Sequence, residues 1–141
     1  GYQERCSQQV RDKFFMLRGN LKGWPEARMT LEEEGFLNDV RFAKTYVQSK
    51  FRQNKWGRVK IRYALQQLRL PERAINSAMA NLPAEDPTYL QTATKLLRKR
   101  LKDKNPAHLP LKARAKHVRY LQSRGFEWSA IEAAFEACEE G

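Results

Sequence analysis

The chain has 141 residues, of which 41% are hydrophobic and 30% are charged. This share of apolar side chains can form a core in a chain of single-domain size, so the composition excludes wholesale disorder. Lys and Arg total 27 against 16 Asp and Glu, which gives a formal charge of +11. A domain this basic usually binds something anionic, such as nucleic acid, an acidic protein groove or a membrane surface.

Segments that would mark other classes of protein are missing from the sequence. No run of about 18 apolar residues predicts a transmembrane helix, and no apolar signal core follows the first five residues. The two cysteines, Cys6 and Cys138, lie near opposite ends of the chain. We therefore expect reduced thiols in a cytoplasmic protein, without a disulfide framework or a zinc site.

Apolar residues recur along the chain at three- and four-residue spacing, which is typical of amphipathic helices. Strand-like alternation and hairpin turns are not found. In chain order, an interrupted helical segment precedes residue 35. The spacing then predicts helices over residues 37–53, 58–70, 72–82, 88–102, 110–124 and 128–139.

Prolines and glycines punctuate these helices. Prolines stand at three expected helix starts, Pro71, Pro87 and Pro110, and Asp86 is placed to cap the helix that begins at Pro87. Three glycines fall between periodic stretches, where a left-handed residue or a tight turn is needed: Gly35, Gly57 and Gly125. The polar, proline-broken segment 102–110 is predicted to be a mobile connection.

The sequence repeats itself at an offset of about 56 residues. Arg58 then falls on Arg114 and Leu65 falls on Leu121, so that both the apolar face and the basic face recur. The repeat predicts an all-α fold of tandem three-helix repeats, stacked into an elongated, curved, solenoid-like molecule. The expected repeats are residues 1–35, which match poorly and look atypical, residues 36–84 and residues 85–141.

The basic residues are concentrated in two stretches with almost no acid. No Asp or Glu lies between Lys50 and Arg69, and Asp103 alone lies between Lys95 and Arg124. One charged stripe is ordinary on a soluble helix, but two in register indicate a surface for an anionic partner. The predicted contact residues are Lys50, Arg52, Lys55, Arg58, Lys60 and Arg62, followed by Arg98, Arg100, Arg114, Lys116 and Arg119.

Trp56 precedes the first of the basic helices and has two possible roles. It is placed either to stack on a base or fill a partner's pocket, or to pack as a hydrophobic staple under the turn. The second role is favoured because aromatic residues at helix junctions usually belong to the core. Trp56 nevertheless completes the set of candidate contact residues.

Motifs for catalysis are not found. His108 and His117 have no metal-ligand spacing, and the sequence has neither a phosphate-binding glycine loop nor a nucleophile elbow. We expect no enzyme activity and no cofactor.

Three segments carry a recognisable signature: residues 34–43, E-G-F-L-N-D-V-R-F-A, residues 55–65 and residues 124–135. The first resembles a motif of the RecX family, the second its central block and the third its C-terminal pattern. Asn38 and Arg69 depart from the residues found in many members. The residues that carry the signature are Gly35, Phe36, Asp39, Arg41, Phe42, Ala43, Tyr46, Gly57, Ile61 and Leu65.

Within this signature, the apolar and aromatic residues are expected to hold the middle repeat together. Asp39 and Arg41 are expected to cap a helix or to pair locally.

The resemblance implies a negative regulator of the bacterial RecA recombinase. Such a protein lies in the groove of the RecA–single-stranded DNA filament and inhibits strand exchange and ATP hydrolysis, in homologous recombination, DNA repair and the SOS response. We expect a cytoplasmic monomer whose partners are RecA and single-stranded, and in some settings double-stranded, DNA, with no membrane partner.

Two other functions stay open. One is a basic helical protein that binds DNA directly, without RecA, and the other is an adaptor that docks acidic helices and ignores DNA. A helix-turn-helix repressor is disfavoured, because specific readout usually needs a dimer and no zipper is evident.

Overall fold

The computed structural model describes residues 25–140, and their side chains from residue 30 onwards. In this part of the chain the secondary structure is helical and includes no strand, so the predicted all-α class is confirmed. The helices are α1 (Pro25–Asn54), α2 (Arg58–Gln67), α3 (Glu72–Met79), α4 (Pro87–Leu101), α5 (Leu111–Ser123) and α6 (Trp128–Glu140). A short 3-10 turn, Pro106–His108, joins α4 to α5.

The described residues form two compact units. The first unit comprises the described residues up to Gln48 together with Ala64–Asn81, and the second comprises Ser49–Tyr63 together with the described residues from Leu82 onwards. Helices α1 and α2 therefore each contribute residues to both units. The repeat boundaries drawn from the sequence stay a prediction, as does the curved outline. Most of the expected first repeat, residues 1–35, lies outside the described residues.

The core of the first unit is formed by small and branched side chains. On α3, apolar residues at positions i, i+1, i+4 and i+5 fall on one face, which is the spacing of a buried helical stripe. The buried apolar residues of this unit are Ala43, Val47, Leu65, Leu70, Ala74, Ile75, Ala78 and Met79.

Several signature residues line α1 in the first unit. Phe42 stacks on Tyr46 with ring centroids 6.1 Å apart, and the Arg73 guanidinium lies 4.1 Å from the centre of the Phe36 ring. Asp39 is fully buried, and both Asp39 and Arg41 interact with other groups.

The core of the second unit lies where α4 packs on α6. On α4, residues at four-residue spacing are buried, which follows from the helical period. Tyr89 is in the centre, with its ring centroid 5.7 Å from that of Phe51 and 5.3 Å from that of Phe126. The other buried apolar residues are Ile61, Leu82, Ala93, Leu97, Leu101, Leu121, Ala130, Ile131, Ala134, Phe135 and Cys138.

The expected role of Gly35 as a break between helices was wrong. Helix α1 begins at Pro25 and runs through Gly35, which is buried, whereas the sequence predicted a start at residue 37. A glycine inside a helix costs only about 1 kcal/mol relative to alanine. Packing of the surrounding turns can offset that cost, and a proline at the first position favours the earlier start.

Other residues at the helix boundaries have largely the roles expected from the sequence. The Asp86 carboxylate accepts a hydrogen bond from the Tyr89 backbone N–H at 3.1 Å and caps α4. Gly125 has a φ of +94°, as predicted for a left-handed residue that follows a helix. Segment 102–110 contains the ordered 3-10 turn, in which Pro106 is buried and the Asn105 side chain accepts a hydrogen bond from the Ala107 N–H at 2.8 Å.

Candidate functional site

The start of α2 docks onto the turn between α5 and α6. The Gly57 N–H donates to the Arg124 carbonyl at 2.7 Å, and the Val59 N–H donates to the Gly125 carbonyl at 2.9 Å. The first N–H groups of a helix have no partner inside it, so these carbonyls complete α2. A Cβ at Gly57 would lie 2.5 Å from the Phe126 nitrogen and closer still to the Gly125 carbonyl group. Close backbone approach is therefore the reason for glycine at position 57.

Arg58 belongs to a network inside the second unit. The Tyr89 hydroxyl accepts a hydrogen bond from the Arg58 backbone N–H at 2.8 Å and donates one to the Glu127 carboxylate. The Arg58 side chain donates from Nε to the Leu82 carbonyl at 2.6 Å and pairs through Nη1 with Glu127 Oε2 at 3.2 Å. Burial raises the pKa of Tyr89 far above its ordinary value, so the hydroxyl keeps its proton and serves as a donor.

Arg114, which corresponds to Arg58 in the repeat, is engaged in the same way. Its Nη1 lies 3.1 Å from Glu139 Oε1 and donates to the Pro106 carbonyl at 3.3 Å. Its guanidinium also lies 4.4 Å from the centre of the Phe135 ring. Both arginines are therefore satisfied by groups of their own chain, and we assign them to the scaffold of the second unit.

Two of the predicted contact residues, Lys50 and Lys60, contact the indole ring of Trp56. The ammonium nitrogen of Lys50 lies 5.1 Å from the centre of the indole ring and that of Lys60 lies 4.8 Å from it. Cations are attracted to the face of an aromatic ring, most strongly to tryptophan. The ring is only half-buried, so in the structure it positions two lysines as well as packing at the helix junction. No acidic residue occurs in the sequence between Asp39 and Glu72.

A second group of cations lies at the end of α4 and on α5. The Arg100 guanidinium lies 4.0 Å from the centre of the Tyr120 ring, and the last turn of α4 also carries Arg98 and Lys99. The pKa of His117 is lowered, first by burial and then by the positive charges of Arg100 and Lys104. Arg100 and Lys104 therefore add positive charge to the surroundings of His117.

The structure brings all of the predicted contact residues into the second unit. Apart from Arg58 and Arg114, the cations divide into two groups by exposure. The half-buried members are Lys50, Lys60 and Arg62. The exposed members are Arg52, Lys55, Arg98, Arg100, Lys116 and Arg119.

Sequence reasoning missed Tyr89 and Glu127, which hold Arg58, and the exposed Tyr63. No local pattern identifies Tyr89 and Glu127, because their partners are distant in the sequence. Tyr63 was detectable as an aromatic residue beside Arg62, within the acid-free stretch.

Other kinds of site were also searched for in the described part of the chain. Residues 25–140 contain no group of His, Cys, Asp and Glu that would hold a metal ion. No helix among them combines the length and the apolar character needed to cross a bilayer.

The fold and the cation-rich second unit define a small all-helical protein with a basic surface. Two family models match the chain, the second three-helix domain of RecX over residues 38–79 and the third over residues 88–135. The chain belongs to the RecX family, as the sequence motifs indicated, and its tandem three-helix domains are thereby confirmed. No solved structure matches it.

Curated relatives support this assignment, and each is named regulatory protein RecX. The protein from Vibrio parahaemolyticus is 32% identical over 119 residues, which cover 81% of this chain and 73% of the relative. The protein from Clostridium acetobutylicum is 29% identical over 72% of this chain and 47% of its own length. The one from Neisseria gonorrhoeae is 31% identical over 72% and 61%. The chain thus spans about half to three fifths of the length of these last two relatives.

Proposed function

We propose that this protein is a negative regulator of RecA that binds along the RecA–single-stranded DNA filament. Membership of a family whose curated members are named regulatory proteins supports the regulatory role. The observation that carries the contact with the filament is the gathering of the exposed and half-buried cations in one compact unit. We place the protein in the cytoplasm, as a monomer without enzyme activity of its own.

We propose that the protein inhibits RecA by occupying the groove of the filament. Like charges held together raise the free energy of the folded protein, and an anionic partner removes that cost. The DNA backbone of a RecA–single-stranded DNA filament offers such an anionic partner along the groove. A protein bound there would bridge neighbouring RecA protomers and hinder the changes that accompany ATP hydrolysis. The regulator contributes charge and shape, and all chemistry stays with RecA.

The scaffold arginines do not take part in this contact. Because Arg58 and Arg114 are paired with glutamates of their own chain, we assign the contact with phosphates to the exposed cations of the second unit, Arg52, Lys55, Arg98, Arg100, Lys116 and Arg119. Each phosphate they neutralise on a single strand contributes about −0.7 to the slope of log K against log salt. Binding through several of them is therefore expected to weaken steeply as salt is raised.

The test is RecA ATP hydrolysis on single-stranded DNA, titrated with two matched variants. Arg52→Glu/Lys116→Glu reverses two exposed cations of the second unit, and Lys44→Glu/Arg69→Glu makes the same charge change at exposed sites of the first unit. We expect the first variant to lose at least tenfold in inhibition and the second to keep it. Equal behaviour of the two variants, with both folded by circular dichroism, would contradict the proposal.

The alternative function is direct DNA binding without RecA. The exposed Tyr63, next to Arg62 on a helix without acids, favours it, because bases stack on exposed aromatic rings. Binding to bare single-stranded DNA at two salt concentrations separates the two functions. Inhibition of RecA under salt that abolishes bare-DNA binding supports the filament regulator. Unchanged hydrolysis together with tight, salt-sensitive DNA binding supports the alternative.

A further inference from the structure

Two large aromatic side chains of the second unit are exposed to water. Tyr63 on α2 has 62% of its surface exposed, and Trp128 on α6 has 57%. The two rings differ in the charges beside them. Trp128 is followed one turn later by Glu132 on the same face of α6, whereas Tyr63 lies in the stretch of sequence between Lys50 and Arg69 that contains no acid. Of the two rings, Tyr63 is therefore the one that suits an anionic partner.

The residues one turn before Tyr63 on α2 are a valine and a lysine. Side chains three and four residues apart are neighbours on a helix surface, so Val59 and Lys60 lie on either side of Tyr63. Val59 is 56% exposed and widens the apolar surface beside the ring. Lys60 supplies a positive charge, and its ammonium nitrogen lies 4.8 Å from the centre of the Trp56 ring. A flat exposed ring and a held cation are thus one helical turn apart.

The contact with Trp56 prepares Lys60 to bind a phosphate. A lysine side chain loses much rotamer freedom when it is fixed by a ligand. Because Lys60 already lies against the indole ring, part of that loss has been incurred in the folded protein. Its ammonium group has three N–H donors, and those that point away from the ring are available to phosphate oxygens. Lys60 can therefore hold a phosphate while a base lies on Tyr63.

This pairing of a stacking surface with a phosphate contact selects among anionic partners. In a duplex the faces of the bases are covered by their neighbours, so that only phosphates and base edges are presented. An acidic protein segment offers carboxylates, which need a cation but no exposed ring. An unpaired strand offers a phosphate together with the free face of a base, and proteins that bind such strands combine a basic surface with exposed aromatic rings.

We infer that Tyr63 stacks on an unpaired base of single-stranded nucleic acid, with a neighbouring phosphate held by Lys60, and that this contact makes the surface prefer a single strand to a duplex. The inference rests on the proposed function in one respect, that the cations of the second unit face nucleic acid. It adds Lys60 and Tyr63 to the exposed cations assigned to the phosphates, and it identifies the form of nucleic acid that they bind.

The probe is a labelled thymidine oligonucleotide, and its binding to the full chain is followed by fluorescence anisotropy. The matched probe is a strand of the same length with abasic sites, which keeps the phosphates and lacks the bases. Stacking of one base on an aromatic ring corresponds to a loss of about five- to 150-fold in affinity when the ring is removed. We expect Tyr63→Ala to lose at least fivefold on the thymidine strand and to stay within about twofold of the parent chain on the abasic strand and on a duplex.

Three further variants separate stacking from other roles, and all are checked for folding by circular dichroism. Tyr63→Phe keeps the ring and is expected to retain the affinity within about twofold. Trp128→Ala removes a similarly exposed ring beside an acid and is the matched control, with no expected effect. Lys60→Gln removes the phosphate contact and is expected to reduce the slope of log K against log salt by about 0.7, a slope that Tyr63→Ala leaves unchanged.

Several results would overturn the inference. An equal loss for Tyr63→Ala on the thymidine and abasic strands, or a similar loss on the duplex, would show that the ring contacts the nucleic acid backbone instead of a base. A loss in Tyr63→Phe as large as in Tyr63→Ala would assign the effect to the hydroxyl. Unchanged strand binding in Tyr63→Ala, with RecA inhibition lost, would show that the ring contacts protein.

Failure of this inference and failure of the proposed function are distinguishable, because the strand-binding assay contains no RecA. If the bare strand does not bind even at low salt, the inference is wrong, whereas inhibition of RecA ATP hydrolysis in the separate titration would leave the proposed function standing. Strand binding with the expected preference, together with unchanged RecA hydrolysis, would instead support the inference and contradict the proposed regulation.

Discussion

Replacing Gly57 by alanine is expected to destabilise the second unit by disturbing the docking of α2. The added Cβ would meet backbone atoms, which cannot move aside as the end of a flexible side chain can. To lengthen its 2.5 Å separation from the Phe126 nitrogen to an ordinary contact of 3.4 Å, the start of α2 must retreat by about 1 Å. A shift of that size stretches both hydrogen bonds at the junction beyond a useful length.

The cost follows from the burial of the two N–H groups. Gly57 is buried, so the loss of its bond leaves an unsatisfied donor at about 1–3 kcal/mol. Val59 is exposed, so water can replace the Gly125 carbonyl and the loss is about 0.5–1.5 kcal/mol. Together we expect a fall of about 1.5–4.5 kcal/mol in the free energy of unfolding, which is a large part of the stability of a typical domain.

Urea unfolding followed by circular dichroism measures this change. Ser77→Ala, at an exposed position of α3 in the first unit, is the matched control and is expected to stay within about 0.5 kcal/mol of the parent chain. A fall of less than about 0.5 kcal/mol in the free energy of unfolding of the Gly57→Ala variant would refute the reasoning. It would mean that the junction relaxes without losing its hydrogen bonds.

Two further predictions concern polar groups of the second unit. Tyr89→Phe removes the hydroxyl that accepts from the Arg58 N–H, and we expect a loss of about 1–3 kcal/mol in urea unfolding; an unchanged midpoint would show that water replaces the hydroxyl. The pKa of His117 is lowered in the folded chain, so the unfolded chain binds the proton first and stability falls as pH decreases below about 6.5. His117→Gln is expected to reduce this fall between pH 7.5 and pH 5.5, unlike His108→Gln at an exposed side chain; equal pH profiles for the two variants would contradict it.

Much of the fold follows from local rules that can be applied to the sequence. The helical period located all six described helices, although their ends shifted, most of all for α1. The repeat offset also holds at the level of the backbone. Arg69 corresponds to Gly125 under that offset, and the two have φ values of +59° and +94°. A left-handed residue therefore closes the second helix of both repeats, even where the sequence lacks glycine.

The parts that sequence reasoning missed depend on distant partners. Arg58 looked like a contact residue because no acid is near it in the sequence, but its counter-ion Glu127 lies 69 residues away. Arg114 and Glu139 are 25 residues apart. Gly35 was misjudged for a related reason, since a helix break predicted from one residue ignores the packing of the turns on either side of it.

The docking of α2 on carbonyls near residue 125 also bears on how the chain emerges from the ribosome. Chains are made from the N-terminus at about 5–20 residues per second, so α2 is complete several seconds before the Arg124 and Gly125 carbonyls that accept its first N–H groups. During that interval the Gly57 and Val59 N–H groups have no carbonyl of residues 124 and 125 to bond to. A nascent chain stalled before residue 124, or a fragment cut there by a protease, therefore has an α2 that frays at its first turn. The hydrogen bonds at the start of α2 are complete only after residues 124 and 125 have been synthesised.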